Sequence, residues 1–166
     1  MQIVEYKKSV DPLKQRTLCF LLKDDQVLLG LKKTGFGKGH WLGIGGKVEE
    51  GESLKDAVIR ETLEEVSAEP LNFERVATLN FYFPHVDEPH KWNQQVCVFT
   101  SKEWQGDILE TDEIAPQWFE ITKIPLDSMW DDAQYWLPNI LQGEKLRADF
   151  LFDKTLTVKE HEVQKE

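Results

Sequence analysis

The chain has 166 residues, enough for one domain with a sizeable core, and carries 20 basic against 30 acidic residues for a formal net charge of −10. Such a surface repels long phosphate backbones and disfavours nucleic-acid polymers as partners, while a small phosphorylated substrate stays open because a bound cation inverts the local field. No apolar run approaches the roughly 18 residues of a membrane span, and the opening MQIVEYKKSV lacks a signal-peptide core. The two cysteines, Cys19 and Cys97, each lie inside an apolar run. That placement argues against a disulfide framework and for a reducing cytoplasm. No feature points to a partner protein, and a monomer is expected.

In chain order, Thr17–Leu22 reads as a buried strand, Asp24-Asp25 as a turn and Val27–Leu31 as the partner strand of a hairpin. Residues 34–39 form a glycine-rich flexible connection. The clearest helix spans 53–67, opened by a capping box of Ser53 with Asp56 and closed by Pro70. Strand-like runs follow at 73–84, 95–101 and 117–121, and residues 125–143 hold an aromatic-rich helix starting near Asp131 or Asp132. A final hairpin is expected from 147–152 and 155–161. Strands interspersed with two helices, without a βαβ repeat, indicate an α+β sandwich.

A helix turns about 100° per residue, so Glu61, Glu64 and Glu65 share one arc. Val58, Ile59, Thr62, Leu63 and Val66 fill the neighbouring arc, which is expected to face the core. Three like charges at that spacing repel, and a hard divalent cation relieves them: Mg²⁺ prefers carboxylate oxygen and is commonly shared with substrate phosphates. A solvated acidic face is the plainer alternative for a glutamate trio taken alone. The surrounding residues decide against it, with glycines before the helix, a glutamate in the loop and an arginine just ahead of the trio.

That context resembles the Nudix box: Gly, five residues, Glu, seven residues, Arg-Glu, an apolar residue, any residue, Glu-Glu, any residue, Gly, apolar. Gly46, Glu52, Arg60, Glu61, Glu64 and Glu65 match at the same spacings, while Thr62 replaces the apolar residue and Ser67 the last glycine. The resemblance implies a Nudix fold, a mixed β-sheet sandwiched between helices (α/β/α), as one domain over 1–166. It implies Glu61, Glu64 and Glu65 as metal-binding carboxylates, one of them doubling as the base, and Glu52 with Arg60 as a structural ion pair. Gly45 and Gly46 would let the backbone approach phosphates.

Within the family, the chain is most similar to the MutT group of diphosphatases that act on oxidised purine nucleoside triphosphates such as 8-oxo-dGTP. The similarity rests on Val27–Lys33, Gly35-Phe36-Gly37, Trp41, Gly45–Val48, Asp112-Glu113, Trp118-Phe119, Ile124-Pro125, Met129-Trp130 and Tyr135-Trp136. It implies Mg²⁺-dependent (Mn²⁺ as the alternative cation) release of a nucleoside monophosphate and pyrophosphate. It further implies Glu113 as a fourth catalytic and metal-binding carboxylate, with Gly45 completing the metal site. Lys32, Gly45 and Gly46 would contact the substrate, Phe36, Phe81, Phe83 and Trp130 would wall a base pocket with Thr17 on its floor, and Asp132 would read the base edge. An aromatic wall suits a planar purine, since stacking is worth about 1–3 kcal/mol per base. Trp118 and Trp136 are assigned to core packing.

Two positions depart from that group. Leu42 stands where it has an asparagine contacting the base, and Ala133 where it has the second of two adjacent aspartates, leaving Asp132 with Asp131 one step earlier. A pocket that loses polar partners loses selectivity for a hydrogen-bonding edge. A dinucleotide, a nucleotide sugar or another modified nucleotide therefore stays open as substrate, as does a non-catalytic nucleotide-binding module. His40, His85, His90 and His161 show no metal-ligand spacing, and His40 is expected to face solvent.

Overall fold

Strand β1 (Lys14–Lys23) is apolar on both sides, as a strand covered on two faces must be. Leu18 and Phe20 point to one face, Cys19 and Leu21 to the other. The computed structural model describes residues 2–166. Around β1 it places helix α1 (Ile3–Tyr6), β2 (Gln26–Lys32), β3 (Trp41–Leu42), β4 (Ile44–Lys47), helix α2 (Leu54–Val66), β5 (Glu69–Leu71) and β6 (Glu74–Tyr82). There follow β7 (Gln94–Ser101), β8 (Glu103–Gln105), β9 (Ile114–Glu120), helix α3 (Ala133–Leu141), β10 (Leu146–Phe152) and β11 (Val158–Lys165).

The main sheet runs β11-β10-β6-β7-β1-β2-β3, with β4 also paired to β1 and β9 to β2. It is mixed: β1 and β7 are parallel, as are β6 and β10, and the other pairs are antiparallel. Helix α3 contributes Trp136, Leu137 and Ile140 to the core that holds Phe20, Leu79 and Val98, with Trp136 against Phe20. Helix α2 packs Val58 against Cys19, Leu21 and Phe99 on the opposite face. The expected α/β/α sandwich is the observed architecture. Among the described residues no helix is long and apolar enough to cross a membrane.

The β1–β2 hairpin exists, but its strands stay paired for only two registers, Leu22 with Val27 and Lys23 with Gln26. Beyond them β1 turns to β4 and β7, and β2 to β9 and β3. The resulting fork opens the sheet where the short strands β3 and β4 enter, and neither was foreseen. The last hairpin starts its second strand at Val158 rather than 155, because Asp153 binds the Thr155 and Thr157 amides and holds those residues in a turn. Both thiols are buried, and burial pushes that of Cys19 up to about 12, so it carries no reactive thiolate.

Candidate active site

Helix α2 begins where the spacing predicts: the Ser53 hydroxyl accepts the Asp56 amide at 3.1 Å. It ends at Ser67, held in the left-handed conformation (φ 63°) with its amide donating to the Leu63 carbonyl. Glycine would occupy that position without strain. Its buried face is the expected one at Val58, Thr62 and Val66 but not at Leu63. Ala57, Val58, Thr62, Glu65 and Val66 point inward, whereas Leu63 is 42% exposed. The inward arc is rotated toward Glu65, so the three glutamates straddle the boundary between core and solvent.

Their environments differ accordingly. Glu65 is buried, its Oε1 accepting the Gly45 amide at 3.0 Å. Burial pushes its pKa up to about 8; the Gly45 hydrogen bond opposes the shift, and the charges of Glu61 and Glu113 add to it. Burial also raises Glu61, with Arg60 pulling it back. Glu64 stays largely exposed. Glu113 lies exposed in the turn before β9, close enough to be felt by both Glu61 and Glu65.

Arg60 organises the approach to this helix. Its Nε and Nη2 donate to the two oxygens of Glu52 at 2.8 and 2.9 Å, the expected ion pair in bidentate form. Nη2 also donates to the Lys47 carbonyl, and Glu52 Oε1 accepts a further bond from the Glu49 amide. These bonds hold the Glu52 carboxyl down at about 2 and tie the loop to the helix. Nη1 reaches Glu61 at 2.8 Å and Glu64 at 3.4 Å. Among the described residues no three His, Cys, Asp or Glu side chains are gathered closely enough to clasp a metal, and Glu61 and Glu64 both bond Arg60.

The donor set nevertheless suits a hard divalent cation. Its side-chain donors are all carboxylates, two of which, Glu61 and Glu65, are destabilised as anions by burial and by neighbouring carboxylates. The glycines serve a purpose beyond the one expected of them. A Cβ on Gly45 would lie 1.9 Å from the Thr17 carbonyl oxygen, and one on Gly46 2.6 Å from the Glu61 carboxyl carbon. Bare backbone is required there so that β4 can slide between β1 and the carboxylates.

On the other side of Gly45-Gly46 the sheet fork opens into a cleft of about 310 Å³. All four expected aromatics, with Lys32, Thr17 and Asp132, line it. Phe36 stands 59% exposed at the mouth and stacks on Trp130 at 5.2 Å between centroids. Phe83 stacks on Phe152 at 4.6 Å and Phe81 on Phe150 at 5.4 Å, which sets them as a stiff wall. His40 is not a free surface residue; it stacks on Trp130 at 4.2 Å and 6° and helps fix that ring. Thr17 belongs by strand alternation to the α2 face and meets the cleft at its border, its buried hydroxyl without a partner among the described residues.

The two aspartates separate in role. Asp131 points away from the cleft, capping the Val158 amide and the Gln134 side chain. Asp132 is buried at the cleft floor, with Oδ2 accepting the Trp136 indole N–H at 2.7 Å. Burial raises its carboxyl to about 6 against that bond. Trp118 packs on Trp104, and Trp136 is 3% exposed within the core as expected, though it also touches the cleft. Leu42 and Ala133 both face the cleft, so the two departures alter its lining directly.

Sequence reasoning missed Trp92, which meets Phe36 and Phe83 edge-on at 4.9 and 5.4 Å, and its neighbour Gln94. It also missed Arg16. The available signals were slight: a tryptophan in a Pro/His-rich loop, and a cation just before the apolar run of β1.

Comparison with known proteins shows the family. The NUDIX domain model matches residues 12–140. The oxidized purine nucleoside triphosphate hydrolase of Mus musculus is 39% identical over 142 residues, covering 86% of this chain and 88% of that protein. Its counterpart of the same name in Danio rerio is 37% identical over 147 residues, 89% of this chain and 92% of that one. The crystal structure of a MutT protein from Bacillus halodurans superposes with a TM-score of 0.77 at 24% identity, covering 92% of this chain and 98% of the other, a likeness of fold. With the box residues braced as described and the match extending from β1 to α3, the chain belongs to the Nudix family and is a Nudix hydrolase.

Proposed function

We propose that the protein hydrolyses oxidised purine nucleoside triphosphates, such as 8-oxo-dGTP, to the nucleoside monophosphate and pyrophosphate, with Mg²⁺ as its cation. The observation that carries this reading is the continuity of the site: a cleft walled by aromatics, with one buried carboxyl, runs past two obligatory glycines onto the acidic helix. The names of the two vertebrate relatives support the same substrate class.

Glu61, Glu64, Glu65 and Glu113 would hold the cation, with Gly45 beside them. When bound, it offsets the charge of the phosphoanhydride and acidifies the attacking water. The protein supplies positioning. Phe81 and Phe83 offer ring faces to a purine, Asp132 takes one polar contact at its edge, and Lys32 places a positive charge where Glu65 feels it. Glu52 and Arg60 hold the loop so that the glycine backbone stays against Glu61 and Glu65.

Leu42 and Ala133 in the cleft lining favour a second reading, in which another modified purine nucleotide or nucleoside diphosphate derivative is preferred because fewer polar groups face the base. Pyrophosphate or phosphate release with Mg²⁺, measured across normal, oxidised, methylated and deaminated purine triphosphates with a dinucleotide and ADP-ribose, separates the two. A lead of about tenfold or more for oxidised purines, equivalent to about 1.4 kcal/mol, supports the first reading. A flat profile or another leader supports the second.

A further inference from the structure

The chain has four arginines, and three are engaged. Arg60 pairs with Glu52, Arg147 with Glu166, and Arg75 donates to the Thr78 hydroxyl. Arg16, among the described residues, has neither an ion-pair partner nor a side-chain hydrogen bond, although it is half-buried. A guanidinium cannot shed its charge to escape such a place, and a desolvated cation without an anion is costly. Burial lowers its pKa from the ordinary arginine value, and the charge of Glu61 partly restores it.

Its location indicates what would satisfy it. Strand alternation puts Arg16 on the same face of β1 as Leu18 and Phe20, and all three line the cleft. In register it sits between Val96 of β7 and Lys47 of β4, one step from Gly46, whose backbone abuts the Glu61 carboxylate. Arg16 thus stands at the end of the cleft nearest the acidic helix, between the aromatic wall and the carboxylates. A nucleotide lying with its base against that wall and its anhydride at the helix must pass a phosphate through this point.

We propose that Arg16 grips the phosphate that joins the nucleoside to the rest of the substrate, and so sets the distance from base to acidic helix. The proposal rests on the reading that the cleft takes a purine nucleotide. Its chemistry is the planar, bidentate match of guanidinium to phosphate oxygens, which a lysine reproduces only as a point charge. On a chain of net charge −10, a cation at this point also offsets the repulsion an incoming polyphosphate meets near four glutamates.

The test compares wild type with Arg16→Gln and Arg16→Lys, without metal and with chelator present. Binding of 8-oxo-dGMP and of its nucleoside, 8-oxo-2′-deoxyguanosine, is followed by tryptophan fluorescence or calorimetry, with a melting curve for each variant. Arg16→Gln should weaken the monophosphate about 10- to 100-fold while moving the nucleoside by less than about twofold. Arg16→Lys should fall between, and Arg16→Gln should melt no lower than wild type because it removes an unpaired half-buried charge. Equal weakening of both ligands would make Arg16 a base or sugar contact and overturn the proposal. So would an unchanged ratio of the two affinities, or a lower melting temperature accounting for the loss. A wild-type protein that binds neither ligand would overturn the purine-nucleotide reading itself, and this proposal with it.

Discussion

The acidic helix and the aromatic cleft are adjoining halves of one site, built in opposite ways. Glu113 apart, the acidic half comes from one stretch, Gly45 to Glu65, in which a helical repeat, a bidentate Arg60–Glu52 pair and two sterically required glycines fix the geometry locally. The cleft gathers residues from strands scattered along the chain, β1, β2, β3, β4, β6, β7 and β10, and from the start of α3, held by ring-on-ring packing. Charge and spacing define the first half, shape and desolvation the second. Chemistry should therefore fail when the helix is altered, and recognition when the cleft is.

The largest effect should come from Glu65→Gln or Glu64→Gln, each lowering kcat on the order of 100-fold or more with the melting temperature largely kept. Near-normal turnover in both would break the assignment of the helix to catalysis. Next is Asp132, whose folded-state carboxyl at about 6 lies above the unfolded value of about 3.9. The folded state therefore holds its proton longer than the unfolded one. This contribution to stability is complete below about pH 4 and is lost as pH rises to about 6, by on the order of 2–3 kcal/mol. Denaturant unfolding across that window should show a loss larger in wild type than in Asp132→Asn by that amount, the rise of Glu65 being common to both; parallel curves would mean that the Asp132 carboxyl is not desolvated.

Trp130→Ala should raise KM by about 5- to 50-fold through lost stacking, leaving kcat within a few-fold. An unchanged KM with a lower melting temperature would turn Trp130 into a packing residue and blur the contrast between the halves. The smallest effect belongs to Ser67→Gly, which relieves a left-handed residue and should stabilise the fold by about 0.5–1 kcal/mol without changing kcat or KM. A drop in stability would mean that the serine's other contacts outweigh its backbone strain.

The sequence by itself determined much of the acidic half: helix limits, cap and glutamate trio follow from residues within one or two turns of each other, where spacing maps directly onto space, while the Glu52–Arg60 pair came from likeness to a known family. It also marked the wall aromatics, though only through likeness to a known family. Tertiary structure alone decided that Glu65 is buried while Leu63 is exposed, because the arc facing inward depends on where β4 and β9 meet α2. It decided too that Asp132 enters the cleft while Asp131 caps β11, that His40 backs Trp130, and that Arg16 and Trp92 line the cleft. These facts depend on the fork between β1 and β2 and on contacts between residues far apart in the chain, which no local pattern of hydropathy or charge encodes.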